Sequence, residues 1–115
     1  MKSLTTFSEL IACSEKEQLY DKLVLQLNKD FRFANIDFEV STQISPQELK
    51  QDLLEVIYGL IQTKFSEYLN LLYIIDVSEK QIKALNGDDT LVLAEQVSFL
   101  ILKREWQKVW YRAKY

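Results

Sequence analysis

The chain has 115 residues, of which 48% are apolar and 27% charged, and its net charge is −3. This composition is typical of a folded domain and excludes a disordered chain. Two glycines and one proline are too few for the turns of an all-β domain. We therefore predict an all-α protein: a compact four- to five-helix bundle that forms a single helical domain over residues 1–115, with one short extended segment near residues 36–40.

Helix starts are indicated by capping boxes, in which a hydroxyl caps the helix and a Glu or Gln three residues later reaches back. The four pairs are Thr6/Glu9, Ser14/Glu17, Ser45/Glu48 and Ser78/Gln81. The third is the strongest, because Pro46 takes the first helical position, where its missing N–H is not needed. These pairs predict helices that begin just after residues 6, 14, 45 and 78.

The hydrophobic period changes after residue 35. Before it, apolar residues recur every fourth position, at Leu19, Leu23, Leu27 and Phe31. This spacing predicts an amphipathic helix over about residues 15–31. After it, Ile36, Phe38 and Val40 alternate with polar residues, which predicts a half-buried extended segment. The sequence leaves open whether that segment pairs within the chain or across subunits.

A long helix is predicted from Pro46 to Ile75, with apolar residues on a wide arc. Two stripes follow Leu49, Leu53, Val56 and Leu60, and Leu54, Ile57, Ile61, Phe65, Tyr68, Leu72 and Ile75. A helix that is apolar on so wide an arc is expected to be covered on two sides. Unbroken, it would be about 45 Å long, whereas a domain of this length is roughly 34 Å across. Either it bends near residues 62–66, or its end packs against something else.

Two further helices are predicted in the last third of the chain. A short one follows Ser78 and ends at Asn86-Gly87, where glycine can adopt the left-handed conformation that terminates helices. The other spans about residues 90–113 and is capped by Asp88 or Asp89.

The C-terminal segment reverses the charge balance of the chain. Residues 1–102 contain 9 Lys or Arg and 16 Asp or Glu, whereas residues 103–115 contain 5 and 1. Arg104, Lys108 and Arg112 recur every fourth position and form a basic ridge on one helix face. With aromatic residues beside it, this ridge could contact phosphates and bases.

A purely structural role explains the same segment. Basic residues complement the negative C-terminal end of a helix dipole, and Trp106 and Trp110 could complete the core. The sequence leaves open whether this last helix packs against the bundle or projects from it.

Most catalytic chemistry is excluded by composition. The chain has no histidine and a single cysteine, Cys13, so it has no Ser-His-Asp or Cys-His apparatus and no zinc site built on Cys and His. Two glycines cannot form a phosphate-binding loop. Asp88 and Asp89 could bind Mg²⁺, but helix capping explains them more simply. We expect no enzymatic activity, no metal and no cofactor.

The expected compartment is the cytoplasm. Residues 1–6 lack the basic and apolar stretches of a signal peptide. The apolar segments around residues 69–75 and 97–102 are shorter than the ~20 residues of a membrane span. We expect no membrane span.

These observations favour a small non-enzymatic interaction protein that self-associates or serves as a subunit or adaptor of a larger complex. Its partner would be another protein or a second copy of the chain. The candidate interface residues are Trp106, Trp110, Phe38 and Tyr73. The alternative is a small nucleic-acid-binding regulator that contacts phosphates through Arg104, Lys108 and Arg112.

Overall fold

Six α-helices and no strand are present in the computed structural model, which describes residues 4–115. The helices are α1 (Phe7–Lys16), α2 (Tyr20–Phe33), α3 (Pro46–Thr63), α4 (Phe65–Ile75), α5 (Glu79–Lys83) and α6 (Thr90–Lys114). The all-α prediction is confirmed, with six helices instead of four or five. The prediction that residues 1–6 contain no signal peptide falls partly on residues 1–3, which lie outside the described residues.

Four predicted helix caps are confirmed. The capping side chains are Thr6, Ser45, Ser78 and Asp89, each of which accepts a hydrogen bond from a backbone N–H of the first turn. The Thr6 cap is a complete capping box, because Glu9 also reaches back to the Thr6 N–H at 3.0 Å. These caps satisfy N–H groups that have no partner inside the helix.

The predicted cap at Ser14 is wrong. Ser14 lies inside α1, is fully buried, and donates its hydroxyl to the carbonyl oxygen of Ile11 at 2.8 Å. The chain reverses one turn later, with a left-handed conformation at Gln18 (φ 58°), and α2 begins at Tyr20 without a side-chain cap. The predicted 15–31 helix therefore starts later and ends later, at Phe33.

The long helix predicted from Pro46 to Ile75 bends, which is the first of the two alternatives that its length left open. Lys64 separates α3 from α4 with φ −141° and ψ 58°, outside the helical region. One turn earlier, the Thr63 hydroxyl donates to the carbonyl oxygen of Gly59 at 2.8 Å, a contact that weakens the helical ladder and bends helices. The bend keeps both halves within a molecule whose longest dimension is 36 Å.

The predicted helix end at Asn86-Gly87 is wrong. Helix α5 ends at Lys83, and no described glycine has a positive φ. A left-handed helix end occurs instead at Asp76 (φ 70°), which terminates α4, and Asn35 (φ 60°) has the same conformation just after α2. Asp tolerates this conformation because its short side chain can form local hydrogen bonds.

The extended segment at residues 36–40 keeps its predicted alternation but pairs with a side chain instead of a strand. The Asn28 side chain accepts from the Val40 N–H at 3.0 Å and donates to the Val40 carbonyl oxygen at 2.8 Å. Ile36 is buried, and Phe38 packs against Phe31 with the rings tilted by 35° and their centroids 4.5 Å apart. One buried amide thus replaces the partner strand that the sequence did not show.

Helix α6 is the central element of the core. It packs against α1, α2, α3 and α4, and its buried residues reach as far as Val109. The last residues, 111–115, are exposed. The C-terminal helix therefore packs against the bundle along most of its length, which answers a question that the sequence left open.

Candidate functional site

The structure places the four candidate interface residues in different environments. Trp106 is 0% exposed and belongs to the core, so it cannot contact a partner while the domain is folded. Trp110 and Phe38 are partly buried against the core. Tyr73, on α4, is 82% exposed. They lie on separate elements, and only Tyr73 projects fully from the surface.

The basic ridge is largely engaged within the chain. Arg104 pairs with Asp76, with Nη2 and Oδ2 3.1 Å apart, and also donates from Nε to the Asp76 carbonyl oxygen. Lys108 pairs with Asp30 at 2.7 Å. Arg112 donates to the Gln26 side chain at 2.8 Å. Two of the three predicted phosphate contacts are therefore already neutralised by carboxylates.

Lys108 belongs to a buried ionisable cluster that the sequence analysis did not find. Its Nζ lies 2.7 Å from Oδ2 of Asp30 on α2 and 3.2 Å from Oε1 of Glu105 on α6. Asp30 also accepts from the Gln26 amide at 3.2 Å. Glu105 is completely buried. The available signal was positional: Glu105 is four residues after Ile101 on the buried face of α6, where an acid is unexpected.

The pKa values of the two carboxyl groups in the cluster are shifted in opposite directions. Burial, the hydrogen bond with Asp30 and the charge of Asp30 together raise the pKa of Glu105 to about 9, against the opposing effect of Lys108. Burial also acts to raise the pKa of Asp30, but hydrogen bonds from Glu105 and Lys108 outweigh it, so the net pKa is lowered. At neutral pH, Glu105 is thus protonated and Asp30 is ionised beside Lys108.

Protonation also accounts for the hydrogen bonding of Glu105. As a carboxylate, it would have no hydrogen-bond partner for either oxygen among residues 4–115, because its contact with Lys108 lacks hydrogen-bond geometry. As a carboxylic acid, it has an O–H that can donate to Asp30. The cluster then contains one buried anion and one buried cation. Because the acids of the cluster are enclosed between α2 and α6, we interpret the cluster as structural: its contacts determine how these two helices pack.

The raised pKa of Glu105 predicts that the domain loses stability as the pH rises. Between an unfolded pKa of 4.5 and a folded pKa of about 9, the folded state holds a proton that the unfolded state has released. The stabilisation is complete below the lower pKa and is lost toward the higher one. We expect the free energy of unfolding to fall by up to about 1.4 kcal/mol per pH unit across this window, as measured by urea titrations at several pH values.

Glu105→Gln should remove this slope, because an amide donates to Asp30 at every pH. The control is Glu95→Gln, an exposed site on the same helix, which should keep the wild-type slope. Equal slopes for wild type and Glu105→Gln would contradict the assignment. Asp30 has the opposite effect, since the stability that it contributes is lost only as the pH falls below 3.8 through its lowered pKa.

Helix α4 carries an apolar surface that no other helix within residues 4–115 covers. Phe65, Leu69 and Tyr73 recur every fourth position and are 54%, 50% and 82% exposed. Beside this ridge lies a groove of about 610 Å³ between α4 and α5, whose apolar lining includes Leu72, Val77 and Ile82. The wide apolar arc predicted for this part of the chain is therefore covered on one side and open on the other.

The comparisons with known proteins add no relative. No protein-family model matches the chain, and neither the curated proteins nor the solved structures contain a match. Within residues 4–115, no three His, Cys, Asp or Glu side chains are grouped as metal ligands. Across the same residues, no helix combines the length and hydrophobicity needed to cross a membrane.

Proposed function

We propose that this chain is a non-enzymatic interaction protein that forms a homodimer through α4. The observation that carries the proposal is the ridge of Phe65, Leu69 and Tyr73, half or more exposed on a helix whose opposite face lies in the core. Burying such side chains stabilises an interface by about 25 cal/mol per Å² of apolar surface before the entropy of association is subtracted. Contiguous apolar surface of this kind is typical of interaction sites.

The shape of this surface suits a second copy of the same chain. A two-fold interface must be self-complementary, because each copy offers the same patch to the other. Here a ridge with the projecting Tyr73 lies directly beside a groove that Tyr73 itself helps to line. A two-fold axis between ridge and groove places the ridge of each copy in the groove of the other.

The charges around the groove also favour self-association. Asp76, Glu79 and Lys83 line it, so both signs occur on one rim. Such a rim can pair with its own copy, whereas a rim of one sign would repel it. Asp76 is already paired with Arg104 at 3.1 Å, which lowers the repulsion further. A ridge of three side chains predicts a small interface, so we expect a reversible dimer of moderate affinity.

The same contacts weigh against the alternative of a nucleic-acid-binding regulator. Phosphate binding requires cations that can exchange solvent counterions for phosphates. Lys108 instead balances the buried Asp30, and removing it for another ligand would leave that charge unpaired. Two of the three ridge cations, Arg104 and Lys108, are thus already paired with carboxylates of the same chain.

Leu69→Lys is expected to abolish the dimer. Leu69 is central in the ridge and 50% exposed, so lysine should leave the fold intact while introducing two like charges near the two-fold axis. By sedimentation velocity, the wild-type mass should rise from 13.6 kDa toward twice that value as the protein concentration rises. For the variant, the dissociation constant should increase about tenfold or more.

The matched control is Leu25→Lys on α2, where the leucine is 48% exposed. It makes the same chemical change at the same exposure, away from α4, and should dimerise like the wild type. A wild-type mass that stays monomeric at all concentrations, or equal weakening by both variants, would refute the α4 dimer.

A further inference from the structure

A second concave surface lies between α2 and the C-terminal half of α6. It is a groove of about 350 Å³ whose apolar floor is formed by Leu19, Leu25, Val109 and Ala113. The polar residues that complete its lining are Lys22, Gln26, Lys29 and Arg112. An apolar floor with polar groups at the rim is the usual construction of a ligand groove. Its position on α2 and α6 separates it from the α4 ridge.

The rim of this groove carries charge of a single sign. Lys22, Lys29 and Arg112 line it, and no acid is among its lining residues. Within residues 4–115, none of these three cations forms an ion pair with a carboxylate. In a chain of net charge −3, this unneutralised positive rim is complementary to an anionic ligand.

The orientation of Arg112 is fixed by the buried cluster. Its Nη1 donates to Gln26 Oε1 at 2.8 Å, while the Gln26 amide donates to Asp30 at 3.2 Å. The guanidinium has further N–H groups that this contact leaves available to a carboxylate. The cluster that joins α2 and α6 therefore also prepositions one cation of the groove.

The concave surface continues along α2. A neighbouring groove of about 280 Å³ shares Leu25 and Lys29 with the first and extends to Phe33 and to Arg32, which pairs with Glu39 of the same lining at 3.3 Å. Phe33 is exposed, and Lys29 Nζ lies 5.9 Å from the centre of its ring. The two grooves together follow α2 over most of its 14 residues, a distance of about 21 Å. Within residues 4–115, Lys22 and Lys29 are the cations of α2 in these grooves that form no ion pair, and the apolar side chain of Leu25 lies between them.

We propose that this groove binds an acidic amphipathic helix of another protein. Its leucine and phenylalanine positions would take the apolar stripe of the helix, and the cations would meet Asp or Glu on both sides of that stripe. Lys22 and Lys29 are seven residues apart, about 10 Å along α2. A ligand that contacts both therefore needs at least two separated anionic groups. A fatty acid has only one, and a nucleic acid has no apolar stripe to fill the floor.

The first test uses two synthetic fluorescein-labelled helical peptides of about 15 residues. One has Leu every third or fourth position and Glu on both flanks, and the other has Gln in place of each Glu. Binding is followed by fluorescence anisotropy with the monomeric Leu69→Lys variant, so that loss of the α4 dimer cannot change the result. We expect the Glu peptide to bind about tenfold or more tightly than the Gln peptide, with an affinity that falls as salt rises.

Charge reversal then locates the site. Lys29→Glu should weaken binding of the Glu peptide about tenfold or more, whereas Lys80→Glu, the same change at an exposed site on α5, should change it less than about twofold. Thermal unfolding of both variants checks that the fold is kept. Equal affinities for the two peptides, or equal effects of the two reversals, would overturn the proposal. It would also be overturned if decanoate or a heparin oligosaccharide bound more tightly than the Glu peptide.

Discussion

Trp106→Ala is expected to lower the free energy of unfolding by about 4 kcal/mol. Trp106 is 0% exposed in the middle of the core, where neighbouring side chains can fill only part of the space that an indole leaves. Domains of this size have a total stability of about 5–15 kcal/mol, so the variant should be close to unfolding. Urea denaturation followed by circular dichroism measures the change.

Two further variants separate packing from hydrogen bonding. The Trp106 indole N–H has no partner among residues 4–115, so Trp106→Phe removes an unpaired polar group and keeps most of the ring. We expect it to reduce stability by less than about 2 kcal/mol. Trp110→Ala, at a partly buried site, should reduce it by less than Trp106→Ala. Equal losses at positions 106 and 110 would contradict the burial of Trp106.

Lys108→Met is expected to lower the free energy of unfolding by about 3 kcal/mol. The methionine fits the space of the lysine stem but leaves Asp30, buried beside Glu105, without its cation. A single buried charge is strongly destabilising, whereas a buried pair is close to neutral relative to apolar replacements. The measurement is again urea denaturation, at neutral pH.

The double variant Asp30→Asn/Lys108→Met tests this reasoning, because it removes both charges together. It should be more stable than Lys108→Met alone. Lys114→Met is the surface control: Lys114 pairs with Glu17 at 2.9 Å in a solvent-exposed position, where an ion pair contributes less than about 1 kcal/mol. If the double variant were no more stable than Lys108→Met, the loss would have to arise from packing.

Local features of the fold could be predicted from the sequence because they depend on neighbouring residues. Hydroxyl and carboxylate caps at Thr6, Ser45 and Asp89 act within one helical turn, and Pro46 needs no partner outside its own helix. Ser14 fits the same local pattern but is fully buried inside α1. Helix α1 passes through the predicted start because burial of its apolar residues stabilises it there.

The contacts that the basic ridge makes could be found only from the tertiary structure. The spacing of Arg104, Lys108 and Arg112 determines that they share a helix face, and this holds in α6. Which side chains meet that face depends on α2 and the end of α4, whose residues are 28 to 86 positions distant in sequence. Helical periodicity does not distinguish a basic side chain that faces solvent from one that neutralises a buried carboxylate.

The sequence by itself determined the helical class, most helix starts and the absence of histidine chemistry. It also determined that the 46–75 helix must either bend or pack its end against something else. Only the tertiary structure decided that Trp106 is core, that Glu105 is a buried acid, and that Tyr73 stands on an uncovered ridge. The physical reason is the distance along the chain over which each interaction acts. Capping and periodicity act over three or four residues, whereas burial, ion pairing and the shape of a groove depend on which distant helices pack together.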